Sequence, residues 1–204
     1  MFHDVEGLKE AMGGSEAFTA MLDSVFVVPP VYDDSYYGFR IHEITEMQVA
    51  NMGNYAHGNQ PAQHLLYLYD WTDTPWKGQK HIREVMDRLY SAAPDGYCGD
   101  EDNGQTSAWY IFSALGFYPV CPASDEYAIG TPYFPHARIL LENGKTLDIT
   151  ARNARKGSSS LDCYIGKIQV NGREYKSNFL NYSDLISGAT IEYTMVDTPE
   201  QGKN

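Results

Sequence analysis

The chain has 204 residues and a formal net charge of −12 at pH 7, with 15 Lys and Arg scattered among 27 Asp and Glu. That length suits one large domain or two small ones, and the acidic balance argues against nucleic acid or an anionic membrane surface as a partner. No apolar run approaches the roughly 18 residues that span a bilayer, and Met1-Phe2-His3-Asp4 lacks the basic and apolar segments of a signal peptide.

Asp4 is placed to cap a helix over Val5 to Met12, closed by Gly13-Gly14. Only three residues precede that cap, so the chain reads as a piece of a longer protein. Ser15 opens a second helix with apolar residues at Phe18, Met21, Leu22, Val25 and Phe26, ended by Pro29-Pro30. Val31 to Arg40 reads as an aromatic loop. A third helix is expected over Ile44 to Met52, and a Gly- and Asn-rich loop over Asn51 to Pro61. Pro61 suits the first turn of a fourth helix, ending near Asp70 to Thr74, and Pro75 that of a fifth, running to about Tyr90. A sixth, aromatic helix starts near Asn103 or Gly104 and stops at Leu115-Gly116.

After Gly116 the apolar period becomes alternating. Strands are expected at Tyr127 to Ile129, Ile139 to Leu141, Leu147 to Ile149, Tyr164 to Val170 and Ile191 to Met195. Asn143-Gly144 and Asn171-Gly172 signal tight hairpins, and Gly157 to Ser160 a flexible connection. The fold class is therefore α+β: about six helices forming part of a toroid or bundle over residues 1–118, then antiparallel β-sandwich strands over 119–204. Phe117, Tyr118, Tyr133 and Phe134 are the expected mortar between them.

The densest chemistry lies in Asp95 to Gly116, where Asp100-Glu101-Asp102 stand just ahead of the aromatic helix. Carboxylates are favoured at a helix N-terminus, whose first amides lack partners. One cap needs one acid, however, and here there are three, between Gly99 and Gly104. An EF-hand does not fit: Gly104 comes one residue early, and Ile111 stands where the bidentate Glu belongs. Cys98, Cys121 and Cys163 have no metal-site spacing, and an odd number gives no disulfide framework.

Three loops are expected on one rim: Asn54 to Gln63, Asp70 to Gln79 and Asp95 to Gln105. The first offers His57, Asn59, Gln60, Gln63 and His64, an oxygen-rich set without Cys that suits Ca²⁺ rather than Zn²⁺. The plain alternative makes Asn59 and Gln60 helix caps, His57 and His64 packing residues, and Trp76 a core residue. Together, the carboxylates, amides, histidines and Trp76 match what a glycosidase pocket needs: a base for water and polar groups for hydroxyls. Asp100 and Asp102, two apart, could share that water.

The segments HGNQPAQHLLYLYDW, TPWKGQKHIREVMDRLY and PDGYCGDEDNGQTSAWYIFSALGFYPVCP closely resemble the C-terminal catalytic part of the glycoside hydrolase family 92 α-mannosidases. HDVEGLKEAMGG, YAIGTPYFPHARILLENGKTLDI and IGKIQVNG extend the likeness over nearly the whole chain. The resemblance implies a Ca²⁺-dependent, inverting exo-α-mannosidase acting on mannose-containing glycans outside the cytoplasm, in the periplasm or beyond. It implies an (α/α)6 toroid preceded by an N-terminal β-sandwich absent here, that is, a missing N-terminal part of the same protein. It makes Asp102 the base with Asp100 its partner and sets Asn59 and Gln60 at or near the metal; His57, His64 and Trp76 are the substrate-binding candidates from the loop composition alone. The general-acid Glu is expected upstream of residue 1, so these 204 residues alone should be inactive. Many members carry Glu where this chain has Gln60, and the Gln form resembles a branch that includes enzymes acting on mannose linked through a phosphodiester. A non-catalytic sugar-binding or structural module is the other reading.

Overall fold

The computed structural model describes residues 2–154 and 163–199. The connection expected at Gly157 to Ser160 lies outside them. Asp4 caps α1 (Val5–Ala11), its Oδ1 accepting from the Gly7 N–H at 2.9 Å. α2 (Ser15–Val27) begins after Gly13 and Gly14, both at positive φ. Ser15 is its first helical residue, and its hydroxyl donates to Asp73 rather than capping. α3 (His42–Ala50) starts two residues before the expected Ile44.

The fourth expected helix differs in kind. Gln60–Trp71 is a 12-residue 3₁₀ run rather than an α-helix. Gln63, Leu66 and Tyr69 are each 0% exposed, a spacing of three. In 3₁₀ geometry side chains at i and i+3 eclipse, so that spacing makes one continuous buried ridge. α4 (Pro75–Leu89) returns antiparallel along this run: Gly78 packs on Leu66 and Tyr69 near one end, and Tyr90 bonds His57 at the other. α5 (Gln105–Leu115) is closed by Gly116 at φ 98°.

Among the described residues eight strands follow: β1 (Phe117–Tyr118), β2 (Glu126–Ile129), β3 (His136–Leu140), β4 (Thr146–Arg152), β5 (Tyr164–Val170), β6 (Arg173–Tyr175), β7 (Phe179–Asn181) and β8 (Ala189–Val196), with α6 (Tyr182–Ile186) before the last. They form a three-stranded sheet, β1-β2-β7, and a five-stranded one, β3-β4-β8-β5-β6. Pairings are antiparallel except β4 with β8, which run parallel. The two sheets bury a shared core of Phe117, Ile129 and Leu180 against Leu147, Ile149, Ile191, Tyr193 and Met195. The Asn171-Gly172 hairpin has both central residues at positive φ, 52° and 75°, the backbone that matches strand twist.

The helical part has its own core, in which Phe18, Leu22, Tyr55, Leu66, Tyr67, Ile82, Val85 and Trp109 are buried. The chain passes between the cores within β1, since Tyr118 belongs to the helical cluster and Phe117 to that of the sheets. Polar ties reinforce the joint. Arg83 on α4 donates to the Pro132 carbonyl at 2.6 Å, and Gln79 Oε1 accepts from the Ile165 N–H at 2.9 Å. Tyr133 lies against the Arg83 guanidinium, but Phe134 is 44% exposed and is not mortar.

Candidate active site

The acidic turn is built from its middle residue. Glu101 alone caps α5: one carboxylate oxygen accepts from the Gly104 N–H at 2.6 Å, the other from the Ser107 hydroxyl at 2.6 Å and the Ser107 N–H at 3.3 Å. The Ser107 hydroxyl, and then the Gly104 N–H, hold its carboxyl below the ordinary range. With the cap supplied by Glu101, both neighbouring carboxylates are left exposed. Asp102, Asn103 and Gly104 all take positive φ, at 49°, 57° and 99°. Asp and Asn tolerate that region better than other side-chain-bearing residues, yet it still strains an L-residue, and such strain gathers at working sites.

The turn is fastened to the amide loop. Gln60 Nε2 donates to the Asp100 carbonyl at 2.8 Å, and the Thr106 hydroxyl donates to the same oxygen at 2.8 Å. Behind them Gln105 Nε2 donates to Gln63 Oε1 and to the Tyr118 hydroxyl, while the Trp109 indole donates to the Gln63 carbonyl. Gly58 and Gly99 press together: a Cβ on Gly99 would lie 2.6 Å from the Gly58 Cα. The side chain of Asn59 makes no cap, and Gln60 spends its N–H on the turn, so neither acts as a helix cap.

Two of the three expected rim loops therefore meet, Asn54 to Gln63 and Asp95 to Gln105. The third does not. Asp70 to Gln79 lies at the far end of both the 3₁₀ run and α4, and a 15-residue α-helix is about 22 Å long. Trp76 sits there, beside Lys77, which pairs with Asp23, and so it cannot line a pocket at the acidic turn. The sequence pattern shows that helices start at Pro61 and Pro75, but consecutive antiparallel elements start at opposite ends.

His57 is 1% exposed. One ring nitrogen is 2.6 Å from the Tyr55 hydroxyl, the other 2.8 Å from the Tyr90 hydroxyl, and Trp109 meets the ring edge-on. Burial pushes its pKa down to about 3, so the imidazole is neutral. It braces the site from behind and has no nitrogen left for a sugar. His64 is half-buried and packs edge-on against Phe2, burial again lowering its pKa.

α3 also reaches the site, through a residue that no motif marks. Glu46 contacts both glycines of the loop junction and accepts from His42 Nδ1 at 3.0 Å, with Glu43 also beside His42. Glu46 was readable only as the polar side of an amphipathic helix. Among the described residues no group of three or more His, Cys, Asp or Glu side chains is placed to hold a metal ion. Gln60, tied to the turn, carries an amide oxygen, and Asn59 before it in sequence carries another; amide oxygens are a donor type that suits Ca²⁺.

The model of the glycosyl hydrolase family 92 catalytic domain matches residues 1–197. The chain belongs to that family. Among solved structures, the GH92 inverting mannosidase BT2199 of Bacteroides thetaiotaomicron is 51% identical with a TM-score of 0.80, over 100% of this chain and 27% of that one. The GH92 α-mannosidase BT3965 of the same organism, in complex with mannoimidazole, is 36% identical with a TM-score of 0.83, over 99% of this chain and 25% of that one. An uncharacterized secreted glycosidase of Arthroderma benhamiae is 25% identical over 194 residues, 95% of this chain and 22% of that protein. The chain thus spans about a quarter of the length of the relatives it matches.

Proposed function

We propose that this chain supplies the water-activating side of a Ca²⁺-dependent, inverting exo-α-mannosidase that removes terminal α-1,2-linked mannose from glycans. The observation that carries the reading is the bond from Gln60 to the Asp100 carbonyl, which joins the acidic turn to the amide loop. Family membership and the inverting mannosidase relative support the reaction type. The relative named as a secreted glycosidase supports a place outside the cytoplasm.

In this reading Asp102 takes a proton from the water that attacks the anomeric carbon, and Asp100 orients that water. An inverting enzyme needs its acid roughly 6.5–9.5 Å across the sugar; that Glu is expected from the part of the protein outside this chain. The amide oxygens of Asn59 and Gln60 would hold the metal. When bound, calcium supplies a template for two adjacent mannose hydroxyls.

The test is a protein of full family length carrying this chain, assayed on α-1,2-mannobiose with chelator and with calcium restored. Activity should vanish and return. Chelator-insensitive turnover would remove calcium from the reading, and no turnover on any α-mannoside would remove the hydrolase. Independently of activity, calcium should raise the melting temperature, and do so less in Asn59→Ala and Gln60→Ala.

One observation favours a second substrate. Gln60 works as an N–H donor toward the turn, which a carboxylate at that position could not do. A phosphate leaving group departs without protonation, so a mannose phosphodiester would need no general acid. Faster turnover of a mannose-1-phosphodiester than of mannobiose would select this branch.

A further inference from the structure

We propose that Glu46 is a positioning residue that sets the separation between the acidic turn and the amide loop by wedging its carboxylate against the Gly58–Gly99 contact. The proposal rests on Asp102 being the base.

Asp100 is gripped on one side through its carbonyl, by Gln60 and Thr106. The residue before it, Gly99, is backed on the other side by Gly58 and by Glu46. A Cβ at Gly99 would stand 2.7 Å from the Gly58 carbonyl oxygen and 3.0 Å from Glu46 Oε2, and a Cβ at Gly58 would stand 2.6 Å from the Cys98 carbonyl and closer still to Glu46 Oε2. Neither position has room for a side chain: the Gly58 backbone closes Gly99, the Cys98 carbonyl closes Gly58, and Glu46 Oε2 abuts both. Oε1 of Glu46 is fixed by His42 one helical turn away on α3, while Oε2 is shut off from water with no hydrogen-bond partner among the described residues. A buried oxygen left unpaired costs free energy. What Glu46 gives in return is contact: its Oε2 stands among the atoms nearest to both glycines at the junction. A base displaced by about 1 Å can lose 10²-fold in rate, so the wedge acts through the position of Asp102.

The variants Glu46→Ala, Glu46→Gln and Gly99→Ala test this in the full-length protein. Glu46→Ala should lower kcat about 10²-fold while KM stays near wild type. Glu46→Gln keeps the shape and should retain most of kcat. Gly99→Ala should lose as much as Glu46→Ala, and the double variant little more, because both disturb one contact. Loss in Glu46→Gln equal to that in Glu46→Ala would make charge, not shape, the agent and overturn the wedge. Undiminished kcat in a folded Glu46→Ala variant would also overturn it. A second measurement needs no activity: amide hydrogen exchange in this chain should speed up in Glu46→Ala at residues 57–60 and 99–104 and not elsewhere. Uniform or unchanged exchange would refute the proposal. A wild-type protein inactive on mannosides would sink the functional reading while leaving the exchange result to stand or fall alone.

Discussion

The side-chain amide of Gln60 donates to the main-chain carbonyl of Asp100 at 2.8 Å, across 40 residues of sequence. That bond and the Thr106 hydroxyl share one acceptor, so the turn has two anchors on a single atom. Gln60→Ala should leave Thr106 in place and cost about 0.5–1.5 kcal/mol, the net worth of one hydrogen bond. Urea unfolding would show the cost, and amide exchange should quicken at Glu101 to Gly104. An unmoved midpoint with unmoved exchange would mean that Thr106 alone holds the turn.

Asp102→Asn separates base from scaffold. The side chain is exposed, so the melting temperature should hold, as for most surface changes. Turnover by the full-length protein should fall by about 10²–10⁴, the usual worth of a general base. Asp100→Asn should cost less. Wild-type turnover in Asp102→Asn would assign proton abstraction elsewhere.

Glu101 predicts an acid-side dependence. Its folded-state pKa is lowered from the ordinary 4.5, first by the Ser107 hydroxyl and then by the Gly104 N–H. A carboxyl with a lowered folded pKa stabilises fully above its unfolded value, and the effect is lost as pH falls through the folded one. Glu101→Gln should therefore melt below wild type at pH 7 and level with it once both states are protonated. A gap of equal size at both pH values would mean that the loss comes from packing and not from the charged cap.

Asp70 predicts the opposite slope. It is 6% exposed, Oδ2 has no partner among the described residues, and burial holds its pKa well above the ordinary 3.8. The folded chain keeps a proton that the unfolded chain releases, so stability is full below about pH 3.8 and declines as pH rises toward the folded value. Asp70→Asn should remove that decline and melt higher at neutral pH, by about 2–4 °C for each kcal/mol relieved. The gap should close near pH 4; a variant that melts lower at every pH would show that the carboxyl is paired.

Local signals read true where one residue decides the backbone. Gly116 ends α5, Asn171-Gly172 turns the hairpin, and Asp4 caps α1, each by its own conformational or hydrogen-bonding habit. Signals failed where the decision is non-local. The run from Gln60 to Trp71 carries enough apolar residues for either a three-residue or a 3.6-residue period, and packing chose the tighter one. The parallel pairing of β4 with β8 joins segments some forty residues apart, which no alternation encodes. Within the site, three adjacent acids look alike in sequence. Only the fold turned Glu101 inward to Ser107 and left its neighbours free. Trp76 was misplaced for the same reason, because its distance from the turn is set by the direction of α4.

Phe117 and Tyr118 are neighbours whose rings enter different cores. Each ring is a keystone for its own side, and one peptide unit links them. Loosening either core drags the other's keystone with it, so cooperativity should spread through β1 faster than through any surface tie. Heating should therefore melt helices and sheets together, and the rim that holds Asp100 and Asp102 would inherit part of its rigidity from the sheets through Tyr118, whose hydroxyl accepts from Gln105.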